Sequence, residues 1–203
     1  RFPTRRNHTV THMMNLALRE VLGEHVQQKG SLVDPEKTRF DLSHPAQITE
    51  EQLACVEELV NQLVAEDTPV HTQVVEKNRA LEINTLRAVF GEQYPDQVRV
   101  VSVGVPVEEL LKNPKNPEWM KHSVEFCGGT HLARTGEVGR FRLIEESAVA
   151  KGVRRVVGIT DERARQAESD ATAIFRLLKE ASGAGEEALP NRISEITGLM
   201  NQT

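Results

Sequence analysis

Length, composition and charge already exclude several classes of protein. The 203 residues are enough for one domain, or one domain with an appendage, and 38% hydrophobic with 27% charged residues predict a globular fold. A net charge of −5 argues against a protein that coats nucleic acid through bulk charge, although it leaves room for a local basic patch. No apolar run is long enough for a membrane span, and two cysteines make no disulfide framework, so we expect a reducing compartment.

The first forty-five residues predict a helix followed by a hairpin. Asn7 is a good N-cap residue, and the apolar residues of 8–26 recur with helical spacing, so a largely buried helix is predicted there. Residues 27–45 then indicate two short strands around a turn at Asp34-Pro35.

A second helix is predicted over 48–67. Thr49 and Gln52 have the spacing of a capping box, and an apolar stripe follows them. Cys55 lies beside that stripe, and we interpret it as a small buried hydrophobic residue rather than a reactive thiol.

The central part of the chain indicates strands interrupted by short helices. A short helix closed by Gly91 is predicted over 84–91, and 107–122 is interpreted as a helical turn plus a surface insertion because it carries two Asn-Pro pairs. Strands are predicted over 69–77, 97–105, 123–126, 139–147 and 152–160. Residues 1–160 therefore predict an α+β domain with a mostly antiparallel sheet packed against helices.

Residues 161–203 predict a helical tail. A helix over 161–181 carries Ala167, Ala171, Ile174 and Leu178 on one side, "GAGEE" breaks it, and Pro190 opens a last short helix. This thin stripe suits packing on a neighbour, and it leaves a homo-oligomer formed through the tail open. The chain has no initiator Met or apolar signal segment, and with its abrupt end it suggests a piece of a longer protein.

Two histidines near the start form the first candidate half-site. His8 and His12 stand at i and i+4 on the predicted first helix, so both imidazoles share one face and can bind one cation. Helical metalloproteases have a Glu after the first His, and Thr9 stands there in this chain, so a protease is disfavoured. Exposed or capping histidines are the alternative.

The stretch "EFCGGTHLART" supplies the second candidate half-site. Cys127 and His131 are four residues apart, and Gly128-Gly129 would let the backbone fold tightly so that both side chains face one point. With the histidine pair they make the donor set of a tetrahedral zinc site. An ordinary turn is the alternative, as is Cys127 acting as a nucleophile with His131 as its base.

These motifs carry a resemblance to a known family. The runs "RRNHTVTHMMNLALREVLGEHVQQKGSLV", "RFDLSHP", "EFCGGTHLARTGEVGRFRLIEES" and "AKGVRRVVGIT" resemble the editing domain of alanyl-tRNA synthetase over most of 1–160. "QKGSLV" and "CGGTH" favour the alanyl member over the related threonyl one. The helices after 160 resemble the start of the segment that leads to the C-terminal domain.

The resemblance implies a function and its residues. It implies hydrolysis of tRNA(Ala) mischarged with serine or glycine, with the tRNA(Ala) acceptor end and the rest of the synthetase chain as partners, in the cytoplasm, with mitochondria also open. Thr11 and Gln28 match pocket positions, next to Gly128 and Gly129, while Val10 stands where Ala is usual. The implied zinc ligands are His8, His12, Cys127 and His131.

Two questions stay open at this point. Zinc with three protein ligands and a water would activate the nucleophile, whereas four ligands favour an organising role. Catalysis itself has two alternatives, a zinc-stabilised RNA-binding module and a structural zinc domain with a dimerising tail. Candidate tRNA contacts are Lys29, Lys151, Arg154 and Arg155, with Arg39 and Arg87 as further phosphate partners and Tyr94 and Trp119 as stacking residues.

Overall fold

The fold of residues 1–160 is built on one long helix and two four-stranded sheets. The computed structural model describes residues 1–89, 92–182 and 189–200, and the chain forms two units, 1–160 and 161–203. The helices and strands of the first unit are α1 (Phe2–Leu22), β1 (Gln28–Val33), β2 (Thr38–Ser43), α2 (Glu50–Ala65), β3 (Val70–Glu76), α3 (Lys77–Ala80), β4 (Leu86–Arg87), β5 (Gln97–Val103), α4 (Val107–Lys112), β6 (Val124–Phe126), β7 (Phe141–Ala150) and β8 (Val153–Thr160). The second unit contributes α5 (Glu162–Ser182) and α6 (Leu189–Met200). Short 3₁₀ turns cover Pro117–Lys121 and Thr135–Val138.

The helix α1 begins at Phe2, so the prediction of Asn7 as its N-cap is wrong. Pro3 occupies the first turn, where its fixed φ suits the helix and its missing N–H is not needed. Asn7 is buried one turn further in, where its amide donates to Asp34 O at 2.8 Å and its carbonyl accepts from Thr160 Oγ1 at 2.7 Å. A buried polar side chain thus joins both ends of the unit.

The first sheet packs on α1 and α2. Its strands lie in the order β1-β2-β8-β7, and every neighbouring pair is antiparallel. The predicted hairpin over 27–45 is confirmed as β1 and β2. Between the sheet and the helices lies a core whose largest fully buried members include Met13, Met14, Phe40 and Phe141. Burial of this kind stabilises by about 1.5–3 kcal/mol per large side chain, so the core fixes α1 firmly.

The helix α2 has the predicted capping box. Thr49 Oγ1 accepts from Gln52 N at 3.2 Å, and Gln52 Oε1 accepts from Thr49 N at 3.0 Å. The interpretation of Cys55 as a buried residue is wrong, because Cys55 is exposed. Val56 and Val60 point into the core, and one residue earlier the helix has turned by about 100° toward solvent.

The second sheet has its own core. The strands lie in the order β3-β5-β6-β4, with β4 and β6 parallel and the other pairs antiparallel. The predicted helix over 84–91 is wrong where the structure describes it, since Leu86 and Arg87 pair with β6 instead. Phe90 and Gly91 lie outside the described residues. Both sheets together confirm an α+β fold that is mostly antiparallel.

The second unit consists of α5 and α6. On α5 the buried residues are Ala164 and Leu177, whereas Leu178, expected on the apolar stripe, is 48% exposed. The predicted "GAGEE" break lies outside the described residues, and the last helix begins next to Pro190. Within the described parts of the chain, no helix combines the length and apolarity that crossing a bilayer requires.

Candidate metal centre and its pocket

Two residues of α1 form what we call the helical arm of the site. His8 and His12 lie one turn apart, and their ring centroids are 5.4 Å from each other. α1 is buried from Thr9 to Arg19, so this arm is held by core packing between the two histidines and after them.

The loop arm consists of Cys127 and His131, in the irregular segment that follows β6. Polar contacts to the backbone hold this segment. Cys127 N donates to Arg99 O at 3.1 Å, Arg5 Nε donates to His131 O at 2.8 Å, and the Arg99 guanidinium donates to Gly129 O. Arginines from α1 and β5 thus clamp a loop that has no hydrogen-bond ladder of its own.

The two arms meet in one cluster. One ligand-type atom from each of the four predicted residues lies within 4.8 Å of all the others. Cys127 Sγ is 3.3 Å from His8 Nε2 and 3.4 Å from His131 Nε2. Tetrahedral zinc ligands stand about 3.5 Å apart, so these separations suit a shared ion.

Only one of the two spacer glycines is required by the space around it. A Cβ on Gly129 would lie 2.0 Å from His8 Cε1, while a Cβ on Gly128 would meet nothing within 4 Å. Neither residue has a positive φ. The glycine at 129 therefore serves the close approach of the two arms rather than an unusual backbone angle, and Gly128 leaves open space in the pocket.

The residues of the cluster shift the pKa values of one another's side chains. Burial alone would raise the pKa of the Cys127 thiol, but the three imidazoles that face it lower that pKa to about 3. Burial lowers the pKa of His131 to about 4, against the opposing effect of the Cys127 contact. A thiolate faced by a neutral imidazole is the form in which both residues bind a metal.

Glu125 is a site residue that the sequence did not reveal. Its carboxylate is buried, lies 2.7 Å from His12 Nδ1 in an ion pair, and accepts from Asn15 Nδ2 at 2.8 Å. Burial alone would lower the pKa of His12, yet the charges of Glu125 and Cys127 outweigh it and raise that pKa to about 10. A carboxylate behind a histidine orients the ring and leaves Nε2 to the metal.

The donor set fits a metal ion. His12 Nε2 is buried and has no hydrogen-bond partner among the described residues, which is an expensive arrangement without a ligand. One thiolate and three imidazole nitrogens are a donor set that zinc accepts. His8, His12, Cys127 and His131 can therefore hold a metal, and the prediction that they lie together agrees with this geometry.

A cavity of about 430 Å³ opens beside the cluster. Its walls come from α1, from the turn and strand that follow α1, from residues 86–89 with Glu92, and from residues 125–128, so both predicted pocket residues, Thr11 and Gln28, line it. Thr11 Oγ1 donates to Asn7 O at 2.7 Å and lies 2.6 Å from Thr38 Oγ1. Since its one proton is used, Thr11 receives the proton of Thr38 and keeps one lone pair for a further donor.

The four predicted tRNA contacts differ in the hydrogen-bond partners that they already have. Arg155 makes two hydrogen bonds to Asp41, at 2.7 and 2.9 Å, and Arg154 makes two to Glu146, both at 2.6 Å. Lys151 is exposed in the turn between β7 and β8, and exposed Lys29 on β1 donates to Gln27 at 3.2 Å. Contact with tRNA stays a prediction for these four residues, two of which already have carboxylate partners.

Thr9 also acts at the site, although the sequence only marked it as departing from the protease pattern. Its hydroxyl accepts from Leu132 N at 3.0 Å and lies 3.4 Å from His131 Nδ1. A buried Thr in a helix has no distinct sequence signal. For Glu125, a charge inside the apolar run before Cys127 was the available signal.

Comparisons with known proteins identify a family and several relatives of this chain. Residues 98–157, from β5 into β8, match the family described as the threonyl and alanyl tRNA synthetase second additional domain. The chain is 52% identical over 168 residues to the mitochondrial alanine–tRNA ligase of Saccharomyces cerevisiae, which covers 83% of the chain and 17% of the relative. It is 50% identical over 182 residues to the alanine–tRNA ligase of Candida albicans, covering 90% and 19%. A cytoplasmic alanine–tRNA ligase of Dictyostelium discoideum is 48% identical over 196 residues, covering 97% and 20%.

The family match assigns residues 98–157 to the second additional domain of a class of aminoacyl-tRNA synthetases. Within that class the chain belongs to the alanyl-tRNA synthetases, and the resemblance seen in the sequence is confirmed. It spans about a fifth of the length of the curated relatives it matches, which include mitochondrial and cytoplasmic enzymes.

Proposed function

We propose that this segment is an editing hydrolase, which cleaves the ester of tRNA(Ala) mischarged with serine or glycine and uses zinc held by the helical and loop arms. The observation that carries the proposal is the four-residue cluster beside a cavity lined by Thr11 and Gln28. The similarity of this segment to alanine–tRNA ligases supports tRNA(Ala) as the substrate. The tRNA acceptor end and the rest of the synthetase are the partners this function requires.

The proposed reaction corrects errors that arise because a binding site cannot distinguish similar amino acids by size alone. A site that accepts alanine admits the smaller glycine, and it rejects serine poorly because serine adds one hydroxyl. A second site that hydrolyses the wrong products removes both errors, provided that it spares alanyl-tRNA.

Thr11 is suited to tell serine from alanine. Its remaining lone pair can accept the serine hydroxyl, and Thr38 and Asn7 fix its orientation. Alanine offers no donor, and leaving a buried polar group unpaired costs about 1–3 kcal/mol. Glycine enters through its small size and gains nothing from this contact.

The arrangement of Cys127 supports ligation over nucleophilic catalysis. Its Sγ faces three imidazoles, whereas a nucleophile needs one base and an open approach. When bound, zinc supplies positive charge that polarises the ester carbonyl and organises the pocket. With four protein ligands the organising role is favoured, and Glu125 then serves to hold His12 in place.

The test is release of serine from Ser-tRNA(Ala), with Ala-tRNA(Ala) as the control and zinc content measured in the same preparation. We expect rapid release of serine, slow release of alanine and about one zinc per chain. A protein that binds zinc and retains tRNA without releasing serine would instead be an RNA-binding module.

A further inference from the structure

A pair of buried hydroxyl groups lies at the wall of the cavity. Thr11 lines the cavity and is 6% exposed, whereas Thr38 does not line it and is fully buried. Their Oγ1 atoms are 2.6 Å apart, which is a short hydrogen bond between two hydroxyl groups. Of the two residues, only Thr11 is therefore accessible to a molecule bound in the cavity.

The protons of the two hydroxyl groups have one satisfactory arrangement. Thr11 Oγ1 donates to Asn7 O at 2.7 Å, which is the carbonyl one turn earlier on α1. Within the described residues, the Thr38 hydroxyl has no hydrogen-bond partner besides Thr11. If Thr11 donated to Thr38 instead, the proton of Thr38 would be buried without an acceptor, which is costly. Thr38 is therefore the donor of the pair, and Thr11 is left with acceptor capacity only.

The first sheet holds the donor in place. Thr38 begins β2, an interior strand, and it pairs with Val33 of β1 and Gly158 of β8. A residue with a strand on each side has a fixed backbone position, so the direction of its hydroxyl depends on one side-chain rotation. The branched side chain of threonine restricts that rotation further. The orientation of the Thr11 hydroxyl thus depends on the sheet as well as on α1.

We propose that Thr38 is a positioning residue that makes Thr11 prefer small side chains that donate a hydrogen bond. The proposal rests on the editing function and deepens it, since it defines which aminoacyl groups gain affinity in the cavity. Serine belongs to this class. Alanine does not, and neither does 2-aminobutyrate, in which a methyl group replaces the serine hydroxyl. A site with a hydrogen-bonding group for the substrate discriminates against such an isostere more strongly than size alone does.

The experiment measures binding in the absence of hydrolysis. Seryl-, 2-aminobutyryl- and alanyl-adenosine are prepared with a 3′-amide in place of the ester, and their affinities are compared for the wild type, Thr38→Val and Thr38→Ser. We expect the wild type to bind the seryl analogue most tightly. Thr38→Val frees the Thr11 hydroxyl to rotate, so the preference for serine over 2-aminobutyrate should fall about 3–10-fold, the effect of one neutral hydrogen bond. Thr38→Ser keeps the proton and should keep the preference.

A ratio of two affinities separates this role from a merely structural one. A general disturbance of the pocket would weaken the three analogues together and leave their ratios unchanged. Thr72→Val, at an exposed threonine of β3, is the matched control and should leave the ratios at their wild-type values. Zinc content and thermal unfolding are followed in the same preparations. If Thr38→Val does not fold, Thr38→Ala removes the same proton with less bulk.

Three results would overturn the role of Thr38. They are equal binding of the seryl and 2-aminobutyryl analogues by the wild type, a wild-type ratio in the variants that lack the hydroxyl, and a loss in Thr38→Ser as large as in Thr38→Val. A failure of the editing function gives a different pattern, because serine release would be absent while the binding ratios followed the expectation. Serine release with an unchanged ratio in Thr38→Val would instead retain the hydrolase and remove the role of Thr38.

Discussion

The helical arm and the loop arm bring the same kind of ligand to the cluster by different means. His8 and His12 are positioned by a helix whose next three turns lie in the core. Cys127 and His131 belong to an irregular segment, which is held by individual hydrogen bonds that Arg5 and Arg99 donate and one that Thr9 accepts.

This difference predicts where the site is vulnerable. Core packing spreads its effect over many contacts, so single polar changes at the exposed residues of α1 should be tolerated. A loop held by a few hydrogen bonds is weakened when one of them is removed. Substitutions that separate the arms, or that weaken one of them, test this view.

Loss of the thiolate should have the largest effect. Cys127→Ala removes a ligand, so zinc binding and serine release should both fall by more than the ~10–100-fold that loss of an outer partner costs. Cys55→Ala is the matched control, because Cys55 is exposed and away from the cluster. Metal analysis and deacylation measure the two effects. A Cys127→Ala protein that keeps its zinc and full activity would contradict the proposed site.

The spacer glycines should respond unequally. Gly129→Ala places a methyl group 2.0 Å from His8, so the arms must separate, with a loss of about 1–3 kcal/mol in stability and a clear loss of zinc affinity. Gly128→Ala should keep the stability within about 0.5 kcal/mol, because nothing lies within 4 Å. Thermal unfolding and zinc titration give both numbers. Equal effects of the two changes would disprove the close approach seen between the arms.

The ion pair behind His12 should have an intermediate effect. Glu125→Gln removes the charge that orients the ring, so zinc affinity should fall about 10–100-fold while the ligands stay in place. Glu108→Gln on α4, exposed and remote, is the control. Competition with a chelator measures the affinity. An unchanged value would mean that core packing alone orients His12.

The smallest effect on zinc binding is expected at Thr9, whose hydroxyl joins the helical arm to the loop arm. Thr9→Val leaves Leu132 N without its acceptor, at a cost of about 1–3 kcal/mol in the free energy of unfolding, and it loosens His131. Thr9→Ser keeps the hydroxyl and should restore most of the loss. Denaturant unfolding distinguishes the two variants, and a Ser variant as weak as Val would show that the methyl group matters instead.

The sequence predicted the parts of the fold that depend on local signals. The capping box at Thr49 and the hairpin over 27–45 follow from neighbouring residues, and both are present. The strand at Leu86 depends on pairing with β6 nearly forty residues later, and local propensity indicated a helix there. The prediction of Asn7 as an N-cap was wrong for a related reason, because its hydrogen-bond partners, Asp34 and Thr160, lie far from it in the sequence.

The residues of the candidate site also divide into those that the sequence predicted and those that it did not. Spacing and residue type marked His8, His12, Cys127 and His131, because a ligand set has a recognisable chemistry. Nothing in spacing could show that Glu125 stands behind His12, since that requires knowing how β6 meets α1. The charge partners of Arg154 and Arg155 were hidden for the same reason, as each lies on a neighbouring strand.

The contact between His8 and Cys127 also sets an order of events during synthesis. It joins residues 119 positions apart, and the hydrogen bond from Thr160 to Asn7 spans 153. A ribosome that makes about 5–20 residues per second needs several seconds to cover such a distance. During that time the histidines of α1 and its buried Asn7 lack their partners, which have not yet been synthesised. The cluster is therefore among the last features of the unit to form. Its formation indicates that both ends of the unit have come together.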